Sequence, residues 1–176
     1  MRIVEILKPT LRLTPSYLEF IEEMRLKGEV IWEGMAPSAE EDLEEFVARL
    51  NWEEVHSRPG LVPKSTYWGV IDGAKVVGRI VLRHHLNEKL RELGGNIGYE
   101  VRPSARRCGV AKEMLRKLLE TPKAKEIGRL LLTCSPSNEA SNKLILASGG
   151  ILEKTAYVAA WERDTNYYWI DLRDTK

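Results

Sequence analysis

Residues 101–115 read VRPSARRCGVAKEML. The overlapping NIGYEV before them predicts a strand. After them Val110, Ala111, Met114, Leu115, Leu118 and Leu119 recur at helical spacing, with Lys112, Glu113, Arg116 and Lys117 on the other face. The stretch therefore carries the chain from a strand end, through a loop with two adjacent arginines and a glycine, onto an amphipathic helix. A helix N-terminus offers unpaired backbone N–H groups and about half a positive charge. Arg106 and Arg107 add donors suited to phosphate oxygens, Gly109 lets backbone approach a ligand, and small Ala111 keeps the first turn uncrowded. The loop reads as a phosphate site. It lacks the three glycines of a dinucleotide fingerprint and the Gly-Lys-Ser/Thr of a P-loop, so a different pyrophosphate ligand is indicated.

Working outward, a short strand is expected near residues 2–7 or 11–13. Thr14 and Pro15 then supply the N-cap and first-turn proline of a helix running to Lys27 and stopped by Gly28. Ser38 and Glu41 have the spacing of a capping box for a second helix. TYWGVIDGAKVVGRIVLR is two β-rich runs joined at Asp72–Gly73, a hairpin signal, and NIGYEV follows the loop HHLNEKLRELGG. Beyond a helix break at Thr121–Pro122 come the apolar strand RLLLT, the loop CSPS, a helix through NEASNKLILAS, and two strands around 151–160 and 167–172. The order β-α-α-β-β-β-α-β-α-β-β gives an α/β (α+β) class. No repeat or low-complexity linker divides the chain, so residues 1–176 are taken as a single domain.

Composition narrows the function classes. The 176 residues are 43% hydrophobic and 30% charged, enough for one buried core, and a formal net charge of +1 names no polyanionic partner, which disfavours nucleic acid. No apolar run reaches the roughly 20 residues of a membrane span, and MRIVEILKPT lacks a signal-peptide core, so a cytoplasmic protein without membrane association is expected. Two cysteines and three histidines are too few for a disulfide framework or a zinc site, so no metal is expected.

The hexapeptide RRCGVA, Arg106 to Ala111, resembles the Arg/Gln-x-x-Gly-x-Gly/Ala signature of the GNAT superfamily of acyl-CoA N-acyltransferases. GYEVRP before it, the element order, and NEASNKL extend the resemblance, which is strongest to predicted bacterial acetyltransferases. The resemblance implies a GNAT-like fold, a twisted, mostly antiparallel sheet of about seven strands with helices on both faces, and acetyl-CoA as cosubstrate. The pyrophosphate would be held by backbone at Arg107, Cys108, Gly109, Val110 and Ala111, beside Arg106. The pantetheine arm would lie between strands splaying near Val101 and Thr133, and Asn138 and Ser141 would sit in a second coenzyme-contacting segment. It departs from the family at one point: Leu144 is followed by Ile145, where the family often has a tyrosine that protonates the leaving thiolate, so the general acid is not assigned.

The expected reaction is acetyl transfer to an amine by direct attack on the thioester, with a strand N–H near Val101 stabilising the oxyanion. Amines arrive protonated at neutral pH, and Glu100, beside the expected acetyl position, is a candidate base. His84 and His85, at the end of the preceding strand, are its rivals. Each of the three also suits a plain surface role. Cys108 and Cys134 are not needed for direct transfer. The alternative reading is a non-catalytic acyl-CoA-binding or sensor domain. The expected partners are acetyl-CoA and an amine acceptor, in a monomer or homodimer.

Overall fold

A computed structural model describes residues 3–173. Of the strand expected at 2–7, Arg2 lies outside the described residues; strand β1 occupies Glu5–Leu7, and Leu11–Leu13 is a 3-10 turn leading directly into helix α1 (Thr14–Leu26). Helix α2 (Leu43–Trp52) starts later than its expected cap. Asp42 accepts from the Glu45 N–H at 2.8 Å, and Glu45 accepts from the Asp42 N–H at 3.2 Å. The box therefore sits four residues beyond Ser38–Glu41, whose one reciprocal bond is long, from the Ser38 N–H to Glu41 at 3.3 Å.

Strands β2 (Lys64–Ile71) and β3 (Lys75–Arg83) form the expected hairpin, with Asp72 and Gly73 both left-handed, φ 52° and 67°. A short helix α3 (Glu88–Glu92), not anticipated within the loop, leads to β4 (Ile97–Val101). Helix α4 (Val110–Leu119) follows the arginine loop. Beyond the proline break the chain forms another unanticipated short helix, α5 (Pro122–Ile127), capped by Thr121. Then come β5 (Arg129–Cys134), α6 (Glu139–Ala147), β6 (Ile151–Val158) and β7 (Arg163–Asp171). The class is α+β as expected, but the strands form two antiparallel sheets, ordered β1-β2-β3-β4 and β5-β7-β6.

Alternation sorts the first sheet into two faces. Helices α1 and α2 cover one, where Tyr17 stacks on Trp68 at 4.3 Å and packs with Phe20 and Phe46. Helix α4 covers the other: Met114, Leu115 and Leu118 meet Ile80, Leu82 and Ile97 in a core that also takes Leu130, Leu132 and Tyr168 from the second sheet. Helix α4 lies close because two cross-strand glycines, Gly69 and Gly78, leave a slot for Met114. A Cβ added at either would stand within 2.4 or 2.8 Å of that side chain, and at Gly78 also 2.8 Å from the Glu100 carbonyl.

The two sheets meet at Asn96, which is 1% exposed. Its N–H donates to Leu131 O at 2.7 Å, and its carbonyl accepts from the Arg83 N–H at 2.7 Å. Its side chain repeats the linkage, Nδ2 to Arg83 O at 3.0 Å and Oδ1 from the Leu131 N–H at 2.8 Å. Beyond this junction no ladder joins β4 to β5, and the gap between them is open.

Candidate functional site

Strand β4 turns half of its backbone into that gap. Asn96 and Arg102 bond across to Arg83 and Val77 of the hairpin side. In an antiparallel ladder such residues alternate with ones facing away, so Tyr99 and Val101 point their N–H and C=O groups toward β5. The Val101 carbonyl is taken by Arg106 Nε at 3.1 Å, which ties the loop to the strand end.

The start of α4 is open. Asp42, Asn87, Thr121 and Asn138 each place a side-chain oxygen on an N–H of their own helices. Gly109, the N-cap of α4, has no side chain to do so. The first backbone bond into the helix is Glu113 N–H to Gly109 O, and among the described residues no acceptor meets the N–H groups of residues 107–112. Arg107 and Gly109 are both left-handed, φ 60° and 78°, which curls the segment, and a Cβ at Gly109 would meet nothing within 4 Å. Six N–H groups thus stand without an acceptor at a positive helix end, with open space beside Gly109.

The arginines divide by role. Arg106 grips Glu29 through both terminal nitrogens at 2.6 and 2.5 Å, so it is held in place before any ligand arrives. Arg102 pairs with Glu23 at 2.6 Å and with Glu19 at 3.4 Å, anchoring the loop to α1. Exposed Arg107 makes no ion pair among the described residues.

A cavity of about 750 Å³ occupies the gap and the α1–α2 side of β3 and β4. Glu100, Asn138, Ser141 and Cys134 line it; Val101 and the loop 106–111 stand outside its lining. Tyr99 Oη and Ser141 Oγ share a 2.6 Å hydrogen bond between β4 and α6. Burial pushes the Tyr99 phenol up to about 12, so at neutral pH it is protonated and a donor. Ile145, in the position that leaves the general acid unassigned, is buried in the core. Burial also raises the Cys134 thiol, which donates to Asn142 Oδ1 at 3.2 Å, while Cys108 is exposed.

Glu100 Oε2 accepts from Arg79 Nη1 at 3.1 Å, with both side chains largely buried. His84 and His85 are not brought to this place. The strand face that turns Arg83 into the cavity turns His84 away, and both histidines line a separate recess of about 520 Å³ with Lys123, Glu126 and Trp169. His84 Nε2 lies 2.9 Å from Ser65 Oγ, and burial together with Lys123 lowers its pKa below 6.5. The histidine in the cavity lining is His56, stacked on Trp52 at 4.5 Å.

Sequence reasoning passed over Arg79 and Arg83, which alternate with Val81 on the cavity face of β3. The signal was two arginines four apart inside the apolar run KVVGRIVLR, a spacing that puts both on one face of a strand.

Residues 10–151 match the family model described as an acetyltransferase (GNAT) domain. The chain belongs to the GNAT acetyltransferase family. Among solved structures of similar fold is Mycobacterium smegmatis RimJ in complex with a CoA disulfide, 19% identical, with TM-score 0.69, covering 98% of this chain and 83% of that one. Microcin C7 self-immunity acetyltransferase MccE, in complex with acetyl-CoA and AMP, is 16% identical with TM-score 0.66, covering 96% and 92%. RimL, a ribosomal L7/L12 alpha-N-protein acetyltransferase bound to coenzyme A through a cysteine disulfide, is 16% identical with TM-score 0.66, covering 97% and 94%. No curated protein sequence matches. Among the described residues, no helix of this GNAT chain is long and apolar enough to cross a membrane.

Proposed function

We propose that this GNAT chain, as one domain over residues 1–176, transfers acetyl from acetyl-CoA directly to an amine. The observation that carries the reading is the uncapped start of α4, with its free N–H groups at the end of a strand that borders an open gap. These N–H groups receive the pyrophosphate, with Arg107 free to add a contact and Arg106 fixing the loop to Val101. The pantetheine arm runs between β4 and β5 past Asn138 and Ser141. The Val101 N–H, directed into the gap, polarises the thioester carbonyl where negative charge develops.

The amine approaches from the cavity. Glu100 takes its proton, directly or through a water, with the 3.1 Å bond from Arg79 orienting the carboxylate. The hydroxyl pair of Tyr99 and Ser141 supplies a proton to the departing thiolate in place of the missing tyrosine. The nitrogen's lone pair forms the new C–N bond as the C–S bond breaks, and no enzyme nucleophile takes part.

Titration calorimetry with acetyl-CoA, followed by coenzyme A release across an amine panel, tests this. One site per chain and turnover with at least one amine are expected. No saturation at millimolar acetyl-CoA would reject the loop assignment, and binding without release for any amine would favour a sensor domain.

A further inference from the structure

The cavity floor carries a positive charge that the protein does not neutralise. Ion pairs are closed there, among them Arg79 with Glu100 at 3.1 Å and Lys64 with Glu53 at 3.1 Å. Arg83 lies on the same strand face and makes none among the described residues. Its Nη1 donates to the carbonyls of Gly94 at 3.3 Å and Gly95 at 3.1 Å, leaving the Nε–Nη2 edge without a protein partner. The guanidinium rests over Gly98, 3.7 Å from where a Cβ would stand, so no side chain of β4 covers it. Burial, with Arg79 alongside, pushes its pKa down to about 10, so it remains a cation at neutral pH but an uncomfortable one. At the cavity rim exposed Lys89 and Arg163 add to the same sign, exposed Glu33 opposes it, and Arg58 is paired with Glu53 at 3.7 Å.

A buried guanidinium with one free edge matches two oxygens of a carboxylate in the bidentate geometry that arginine favours. We propose that the acceptor amine carries a carboxylate, seated on the Nε–Nη2 edge of Arg83. This rests on the acetyl-transfer reading above, and it names the acceptor class for that site. The spacing follows from the strand. Gly98 lies three residues from Val101, roughly 10 Å at about 3.3 Å per residue, and contacts of ~3 Å at each end leave about 4–10 Å between carboxylate and amine. That is the reach of an ω-amino acid with a flexible chain, and longer than an α-amino acid offers.

The test compares ε-aminocaproate with its neutral amide, ε-aminocaproamide, as ligands of the purified chain saturated with coenzyme A, and as acceptors with acetyl-CoA. The acid is expected to bind about 10- to 100-fold more tightly and to show the same advantage in kcat/KM, the range for a charge-assisted contact to one guanidinium. Arg83→Met should collapse the acid-to-amide ratio toward 1, and Arg83→Lys should retain part of it. A purely structural clamp on Gly94 and Gly95 would lower both ligands together and leave the ratio intact, which would overturn the proposal. So would equal binding of acid and amide by the unaltered chain, or binding of neither. The wild-type comparison stands even if Arg83→Met fails to fold. Loss of acetyl-CoA binding is read separately by calorimetry and would strike the coenzyme reading itself.

Discussion

Replacing Asn96 with alanine removes the side chain that stitches the two sheets together while leaving the backbone bonds to Arg83 and Leu131 in place. The Leu131 N–H and the Arg83 carbonyl each lose a partner. Asn96 is 1% exposed, so water does not readily take its place. Each of the two orphaned groups costs about 1–3 kcal/mol, so the variant should lose about 2–6 kcal/mol. For a chain of this length that corresponds to a fall in Tm of roughly 5–15 °C. Urea unfolding should show a lower midpoint at nearly constant slope, since the surface exposed on unfolding barely changes. Hydrogen exchange should locate the loss, with the Leu131 amide losing protection ahead of the β2–β3 hairpin. Asn96→Asp keeps an acceptor for Leu131 but sets a carboxylate against the Arg83 carbonyl, and should be at least as damaging. A Tm within about 2 °C of the parent for Asn96→Ala would refute the reasoning, because the junction would then rest on backbone and apolar contacts alone.

Gly109→Ala holds a Cβ at φ 78° and projects it into the space that the free N–H groups face; it should weaken acetyl-CoA at least tenfold by calorimetry while circular dichroism stays unchanged. Glu100→Gln should lower turnover by roughly 10- to 1,000-fold and move the acid limb of the pH–rate profile while coenzyme affinity stays level, and it should cost about 3 kcal/mol of stability as Arg79 loses its partner. Full turnover with an unchanged profile would remove Glu100 from the mechanism. Cys108→Ala with Cys134→Ala should keep most activity, and a chemically competent acetyl-enzyme detected by mass spectrometry would contradict direct transfer. His84 has a folded-state pKa below 6.5, so the unfolded chain binds its proton first; stability is full above pH 6.5 and declines as pH falls. Urea midpoints between pH 7 and 5 should show this decline, and His84→Asn should flatten it.

What the sequence showed and what it hid separate along physical lines. The β2–β3 hairpin and the start of α4 were legible because their signals are local: Asp72–Gly73 sets a turn, and Gly109 precedes a helical apolar period. The cap of α2 was misplaced because two capping-box patterns four residues apart compete, and packing of Phe46 and Leu50 decides between Ser38–Glu41 and Asp42–Glu45. Helices α3 and α5 are too short to display a period. The division of the seven strands into two sheets was not legible, because it lies between β4 and β5, where the link is made by Asn96, a single polar residue with partners at Arg83 and Leu131. The candidate site divides the same way. The loop is contiguous and could be read, whereas Arg79, Arg83 and Glu100 converge only through strand register, and His84 was set aside by which face it takes.

The glycine slot under Met114 gives the coenzyme helix a support that a comparison of ligand contacts would miss. Gly69 and Gly78 touch no proposed ligand, yet a methyl group at either would collide with Met114, and at Gly78 with the Glu100 carbonyl as well, in the slot that lets α4 sit close to the sheet. Sequence drift should therefore run freely over the solvent face of α4, where Lys112, Glu113, Arg116 and Lys117 answer mostly to solvent. It should halt at two positions that are chemically blank. For anyone redesigning this chain, the firmest constraint on where a phosphate is held is a pair of missing side chains on the strands beneath it.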